Sequence, residues 1–199
     1  MPVLDIERQI EVVTQQIVRA KIFYDIWCLY SDKENHAAIF EKLSIYGDFL
    51  RYDAHAHFVS MVIHCAVVWD KAKSNVSLPA VSKLILDPNG KPNDKALSET
   101  IAQCAQKAGG LVTLRHEAIA HRSQRFDYSD AFARAQIVPN EIPLMLTEWL
   151  AITNQLRGQK GMVAKQFEQS PLEKARQLIL SLGGPNLRPA GPMDDVFKR

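Results

Sequence analysis

The chain has 199 residues, of which 47% are hydrophobic and 23% are charged, and its formal net charge is only +2. These values exclude a disordered chain and a protein that coats nucleic acid by bulk electrostatics, so any nucleic-acid contact must come from a local site. The longest apolar stretch, residues 58–69, is too short to span a bilayer and is interrupted by Ser60 and His64.

The first half of the chain predicts three helices. Apolar residues recur every three or four positions between residues 4 and 30, which indicates one long helix. Ser31 and Asp32 are turn or N-cap residues before a shorter helix predicted over residues 37–45. A second long helix is predicted over about residues 48–71.

The second half continues the helical pattern. Ser77 caps a short helix that is predicted to end at Leu86. A third long pattern begins at about Lys95, and Gly109 and Gly110 bend or divide it. Further helices are predicted in the remainder: a short one near residues 130–135 and a fourth long one that Asn140 caps. A last helix begins with a capping box in which Ser170 is the N-cap and Glu173 its partner, and it ends at Gly183 and Gly184.

No segment alternates like a strand, so the predicted fold class is all-α. We expect an up-and-down bundle of four to five helices with short accessory helices. Residues 1–184 would form a single helical domain, and residues 185–199 a flexible C-terminal tail.

The cysteines and the N-terminal charges both indicate a cytoplasmic protein. Cys28, Cys65 and Cys104 are widely spaced, which predicts buried thiols in a reducing compartment and neither disulfides nor zinc ligands. Four charged residues stand where a signal peptide needs its apolar region, namely Asp5, Glu7, Arg8 and Glu11.

The histidines of the second long helix do not predict a metal site. His55 and His57 point about 200° apart on a helix and cannot chelate one ion. His57 and His64 share a face, where polar side chains at the edge of a packed surface are favoured over metal ligands. We therefore predict neither a metal nor a cofactor.

The stretch LRHEAIAHRSQR, residues 114–125, concentrates three arginines and two histidines around one glutamate. Histidine has a pKa suited to proton transfer near neutral pH, and the arginine fork fits phosphate oxygens. Metal-free RNA cleavage needs these two functions, because the 2′-hydroxyl must lose its proton and the phosphorane-like transition state carries negative charge.

The spacing of Arg115 and His121 is weak support by itself, since Arg51 and His57 share it. On a helix, residues six apart are about 240° round and roughly 9 Å along the axis. Arg115 and His121 would converge if the helix ends near His121 or if two subunits share the site. Otherwise, the stretch is simply the solvated end of a helix.

The block RHEAIAHRS resembles the Arg-x(4–6)-His motif of the HEPN superfamily, the higher eukaryotes and prokaryotes nucleotide-binding domain. The upstream block WDKAKSNVSLPAVSKLI, residues 69–85, is similar to the abortive-infection, phage-resistance branch of that superfamily. The similarity covers about residues 5–160, and the last helix and the tail lie outside it.

The resemblance implies a helical bundle that dimerises with its motif helices at the interface, and a metal-independent endoribonuclease of toxin or antiphage type. Arg115 and His121 would be the catalytic pair, with Arg115 holding phosphate and His121 acting as general base or acid. Many members of the resembled family have a polar residue, often asparagine, straight after the arginine, where this chain has His116. Asp70 matches a family aspartate that either caps the following turn through Ser74 or Asn75, or orients the catalytic pair.

Three functions remain open at this point. The first is a homodimeric ribonuclease that cleaves RNA, such as tRNA or mRNA, in a shared cleft lined by the basic cluster: Arg115, His116, His121, Arg122 and Arg125. Its partner would be an antitoxin or a nucleotidyltransferase, and no association with a membrane is expected. The second is a catalytically inactive HEPN-like module that binds nucleotide, RNA or a partner. The third is a helical scaffold whose dimer interface is its only function.

Overall fold

The computed structural model describes residues 5–70, 75–86, 95–120 and 128–189, apart from the side chains of residues 85, 86 and 117–120. These residues contain helices and no strand, which confirms the predicted all-α class. The helices are α1 (Ile6–Ser31), α2 (Lys33–Leu43), α3 (Gly47–Val68), α4 (Leu78–Leu86), α5 (Lys95–Lys107), α6 (Gly109–Ala120), α7 (Tyr128–Ala135), α8 (Glu141–Gln159) and α9 (Ser170–Ser181), with a 3₁₀ turn at Ser44–Tyr46.

Helix α1 is the centre of the bundle and packs mainly against α3 and α8. The stripe of apolar residues predicted from their spacing faces the core, where Ile10, Val13, Ile17 and Trp27 are completely buried. A helix with such a stripe is stabilised mainly by burying it against its neighbours. None of the helices in the described ranges is long and apolar enough to cross a membrane.

Helix α2 begins four residues earlier than the sequence pattern predicts, at Lys33 instead of residue 37. The cause is Asp32, whose carboxylate accepts hydrogen bonds from the backbone N–H groups of Glu34 and Asn35, both at 3.1 Å. These bonds satisfy N–H groups that have no partner inside the helix, so the polar first turn becomes helical.

The two glycines divide the third helical pattern into α5 and α6, as predicted. Helix α6 begins at Gly109 and crosses α7 at very short range. A Cβ atom on Gly110 would lie 2.4 Å from the carbonyl oxygen of Ala135 and 2.7 Å from Cγ1 of Ile137. Only a glycine permits this approach, which fixes how α6 lies in the bundle.

The last helix and the residues after it close a second apolar cluster with the end of α1 and the start of α3. Helix α9 ends at Ser181 with Leu182 as its C-cap residue, Gly183 follows with a φ of 80°, and the Gly184 N–H donates to the Ile179 carbonyl at 2.9 Å. This is the glycine-terminated helix end that the sequence predicts. Ser170, however, is the first helical residue and not the N-cap, which is Gln169.

Residues 185–189 pack against the body of the protein. Leu187 is buried in the second cluster, and the backbone of Arg188 exchanges two hydrogen bonds with the Asn35 side chain, at 3.0 and 3.1 Å. The rest of the expected tail, residues 190–199, lies outside the described residues. A domain boundary after residue 184 stays a prediction, and it falls within this packed segment.

The three cysteines are buried and unpaired, as predicted. Burial raises the pKa of both Cys28 and Cys65 to about 12. Burial likewise raises the pKa of Cys104 to about 11. Because a thiolate is the reactive form, these thiols are inert at neutral pH and serve as small apolar core residues.

Candidate functional site

The candidate site lies where the end of α3 meets α6. Helix α3 ends at Val68 with Trp69 as its C-cap residue, and the Asp70 N–H donates to the Val67 carbonyl at 3.2 Å. Arg115 lies near the middle of α6, directly after the completely buried Leu114. The packing of α6 on α3 therefore brings Arg115 to the last turn of α3.

Asp70 and Arg115 form an ion pair. The Nη1 atom of Arg115 lies 3.9 Å from Oδ2 of Asp70, and the two side chains are 27% and 25% exposed. This separation is too long for a hydrogen bond, so Asp70 attracts the guanidinium without occupying its N–H donors. Arg115 is thus held in place while its fork remains available to a phosphate group.

Asp70 also contacts the turn that follows it. Asn75 donates a hydrogen bond from Nδ2 to Oδ2 of Asp70 at 2.9 Å. The sequence left two roles open for Asp70, a cap for this turn and a partner of the motif residues. The geometry brings Asp70 to both Asn75 and Arg115, so the two roles are compatible.

A buried aromatic pair lies beside Asp70. Trp69 and Trp149 are 5% and 0% exposed, and their rings meet edge to face with centroids 5.4 Å apart. No local sequence pattern links these two tryptophans, because they lie 80 positions apart. Trp69 directly precedes Asp70, so the aromatic pair anchors the end of α3 from which Asp70 extends.

The remaining predicted site residues divide into two groups. His116 is exposed on α6, but it follows Arg115 directly and points about 100° away from it around the helix. His121, Arg122 and Arg125 lie outside the described residues, so the pairing of Arg115 with His121 stays a prediction. The described part of α6 ends at Ala120.

The histidines of α3 make contacts typical of a packed edge. Nδ1 of His55 lies 3.1 Å from the Tyr128 hydroxyl, and Nδ1 of His57 lies 2.8 Å from the Asp53 carbonyl. The ring of Phe23 lies between His57 and His64, with centroids 5.6 and 5.3 Å away. In the part of the chain that the structure describes, no three His, Cys, Asp or Glu side chains are grouped to hold a metal.

The all-helical bundle is consistent with a protein of the HEPN type. The family model HEPN_AbiU2, described as AbiU2, matches residues 4–158. The chain therefore belongs to the HEPN_AbiU2 family, a HEPN-type abortive infection family. The match covers α1 to nearly the end of α8 and leaves α9 outside, as the sequence resemblance did.

No curated protein and no solved structure matches the chain significantly. The family membership therefore rests on the family model, with which the helical fold agrees.

Proposed function

We propose that the protein is a metal-independent endoribonuclease of the toxin or antiphage type, with Arg115 and His121 as its catalytic pair. The observation that carries this proposal is the placement of Arg115. Its guanidinium is partly exposed and is attracted by Asp70 at 3.9 Å, within a chain of a HEPN-type abortive infection family. An arginine held in this way is suited to binding a phosphodiester.

The reaction assigns one step to each residue. His121 removes the proton from the 2′-hydroxyl, and the 2′-oxygen attacks the adjacent phosphorus. Arg115 stabilises the negative charge on the phosphoryl oxygens while the bond from phosphorus to the 5′-oxygen breaks. The leaving 5′-oxygen takes up a proton, so the products are a 2′,3′-cyclic phosphate and a 5′-hydroxyl.

The active form in this proposal is a homodimer. Residues six apart on one helix diverge by about 240°, so a second subunit is the simplest way to place a histidine opposite Arg115. His116, Arg122 and Arg125 would then bind the RNA backbone on either side of the cleaved bond. An antitoxin or nucleotidyltransferase partner would control this activity in the cytoplasm.

The test is RNA cleavage by purified protein and by its His121→Ala and Arg115→Ala variants, measured on a panel that includes tRNAs. Each substitution should lower the cleavage rate about 100-fold or more, because it removes a proton-transfer or charge-stabilising group. Arg115→Lys should restore only part of the activity, since lysine lacks the fork. Thermal midpoints should stay close to that of the parent protein.

Arg19→Ala is the matched control, because Arg19 is an exposed arginine on α1. It should leave cleavage unchanged. Cleavage that survives both site substitutions would contradict the proposed roles, and so would a parent protein that cuts no RNA in the panel.

The second candidate is a catalytically inactive module that binds RNA or nucleotide. The residue that favours this candidate is His116, which stands where many members of the resembled family have a polar residue, often asparagine. Such a module would bind RNA with an affinity that falls steeply with salt, and it would show no turnover. A His116→Asn variant separates the two candidates, because it would raise cleavage only in an enzyme.

A further inference from the structure

A cavity of about 330 Å³ opens at the start of α3, at the end of this helix that is remote from Asp70. It lies between the end of α1, helix α2 and Tyr128. Its volume lies at the lower end of the range of about 300–1,000 Å³ typical of small-molecule pockets. Residues 51 and 68 bracket most of α3 and lie about 25 Å apart at 1.5 Å per residue. The cavity is therefore separate from the Asp70–Arg115 pair.

Aromatic rings form much of the cavity wall. Trp27 and Tyr30 are buried, with 0% and 5% exposure, while Phe40 is 42% exposed. Tyr128 completes the aromatic part of the lining. Flat rings of this kind favour a ligand with a planar apolar body, because stacking and edge contacts add to the burial of area.

The charged residues that the structure describes in the cavity wall are all basic. Lys33, His36 and Arg51 contribute to the wall, and no carboxylate within the described ranges does. Arg51 pairs with Asp48 at 3.1 Å, but these side chains are 64% and 86% exposed, so the pair is weak and can open to a ligand. Lys33 has no carboxylate partner in the described ranges.

The Asp53 carboxylate lies on the same helix as Arg51 but does not belong to the described lining, and its Oδ1 is 3.6 Å from Nδ1 of His57. A ligand in the cavity would therefore meet both aromatic rings and basic side chains. A neutral apolar molecule would use only the first of these features.

We propose that this cavity binds a small aromatic anion, a planar ring system that carries a carboxylate, sulfonate or phosphate. The rings of Tyr30, Phe40 and Tyr128 hold the body of the ligand, and Lys33 and Arg51 hold its anionic group. This site does not depend on the proposed ribonuclease activity, and it can be tested in a protein that cleaves nothing.

The test compares two fluorescent probes that share an anilinonaphthalene ring system. 1-Anilinonaphthalene-8-sulfonate carries a negative charge, and N-phenyl-1-naphthylamine does not. The sulfonate should bind the folded protein saturably and about tenfold more tightly than the neutral probe, because charged hydrogen bonds contribute to its binding alone. Equal affinities would overturn the proposal, as would the absence of saturable binding.

Variants identify the residues involved. Replacing both Lys33 and Arg51 with serine should weaken sulfonate binding about tenfold and leave the neutral probe unaffected. The matched control replaces Lys42 and Lys174 with serine, since both are exposed and neither lines the cavity. Ala54→Phe, which fills the cavity, should abolish binding of both probes. Sulfonate binding that is unchanged in the double-serine variant would refute the assigned anion contact.

Competition then distinguishes the ligand types. Adenosine 5′-monophosphate and 2-naphthoate are titrated against the bound sulfonate, with adenosine as the uncharged control. Displacement by the nucleotide and not by adenosine would assign the site to nucleotides. Displacement by naphthoate alone would assign it to aromatic carboxylates. If neither anion displaces the probe, the proposal fails.

Discussion

Two arginines in this protein show how environment separates a structural side chain from one that is available to a ligand. Arg157 is 5% exposed, and its Nη1 lies 2.5 Å from Oε2 of Glu11 while its Nε donates to the Val163 carbonyl at 2.7 Å. Arg115 is 27% exposed, and its ion pair with Asp70 is longer than a hydrogen bond. Arg157 therefore holds the fold together, whereas the longer contact with Asp70 leaves the N–H donors of Arg115 unoccupied by that carboxylate.

The hydrogen bond from Arg157 also changes the pKa of the Glu11 carboxylate. Hydrogen bonds from Gln15 and then Arg157 hold the pKa of Glu11 below its usual value. A carboxylate with a lowered pKa stabilises the fold above its unfolded pKa, and this contribution is lost as the pH falls through the folded pKa. The contact between Arg157 and Glu11 thus contributes stability at neutral pH that the protein loses in acid.

Two histidines on α3 give the protein a second sensitivity to pH, which has the same sign as that of Glu11 but begins at a higher pH. Burial lowers the pKa of both His55 and His64 from 6.5, and the positive charge of Arg19 lowers the pKa of His64 further. Below pH 6.5 the unfolded chain binds protons that the folded chain does not. The free energy of unfolding should therefore fall as the pH drops, by at most about 1.4 kcal/mol per pH unit for each histidine.

Urea denaturation at pH 7.5 and at pH 5.5 measures this loss. His64→Gln removes one titrating group, so the variant should lose less stability than the parent protein over the same interval. An equal loss in the parent and the variant would show that His64 is not a source of the pH dependence.

At the scale of the helices, the crossing of α6 and α7 depends on one glycine. Gly110→Ala should lower the free energy of unfolding by about 1–3 kcal/mol, because its Cβ would overlap the Ala135 carbonyl and the Ile137 side chain. Gly109→Ala is the matched control, since nothing lies within 4 Å of a Cβ at that position. Chemical denaturation of the two variants should separate them clearly.

A similar loss of stability in both glycine variants would contradict this interpretation. It would mean that the backbone at the start of α6 is sensitive to any side chain, and that the close approach to α7 is not the cause.

Most helices were predictable because their apolar residues follow the helical period, as the buried stripe of α1 shows. The start of α2 was not, because residues 33–36 are polar and become helical through the Asp32 cap and its burial. The candidate site was predictable in part. The motif identified Arg115 and Asp70 separately, but their 3.9 Å contact arises from the packing of α6 on α3, which no local pattern encodes.

Over the whole molecule, α1 contributes to both apolar clusters, and the chain returns to it at the end. Leu187 is 3% exposed in the second cluster, although it follows the last helix and lies in a proline-rich segment. Leu187→Ala should lower the free energy of unfolding by about 2–4 kcal/mol through the loss of buried surface and the cavity that it leaves.

Leu144 provides the control for this substitution, because it is 66% exposed on α8. Leu144→Ala should change the thermal midpoint very little, since surface substitutions typically alter stability by about 0.5 kcal/mol or less. Equal thermal midpoints for the Leu187→Ala and Leu144→Ala variants would show that the packing of residues 185–189 does not contribute to stability.

The polar contacts of α1 have a consequence for the order of events during synthesis. The Tyr24 hydroxyl donates to the Pro139 carbonyl, Glu11 pairs with Arg157, and Asn35, just beyond α1, bonds to Arg188. Each contact joins the first part of the chain to its last third, so the ribosome must make most of the chain before these three contacts can form. A nascent chain that is still short of Pro139 can pack α1 against α3 but lacks all three contacts, so its fold is incomplete.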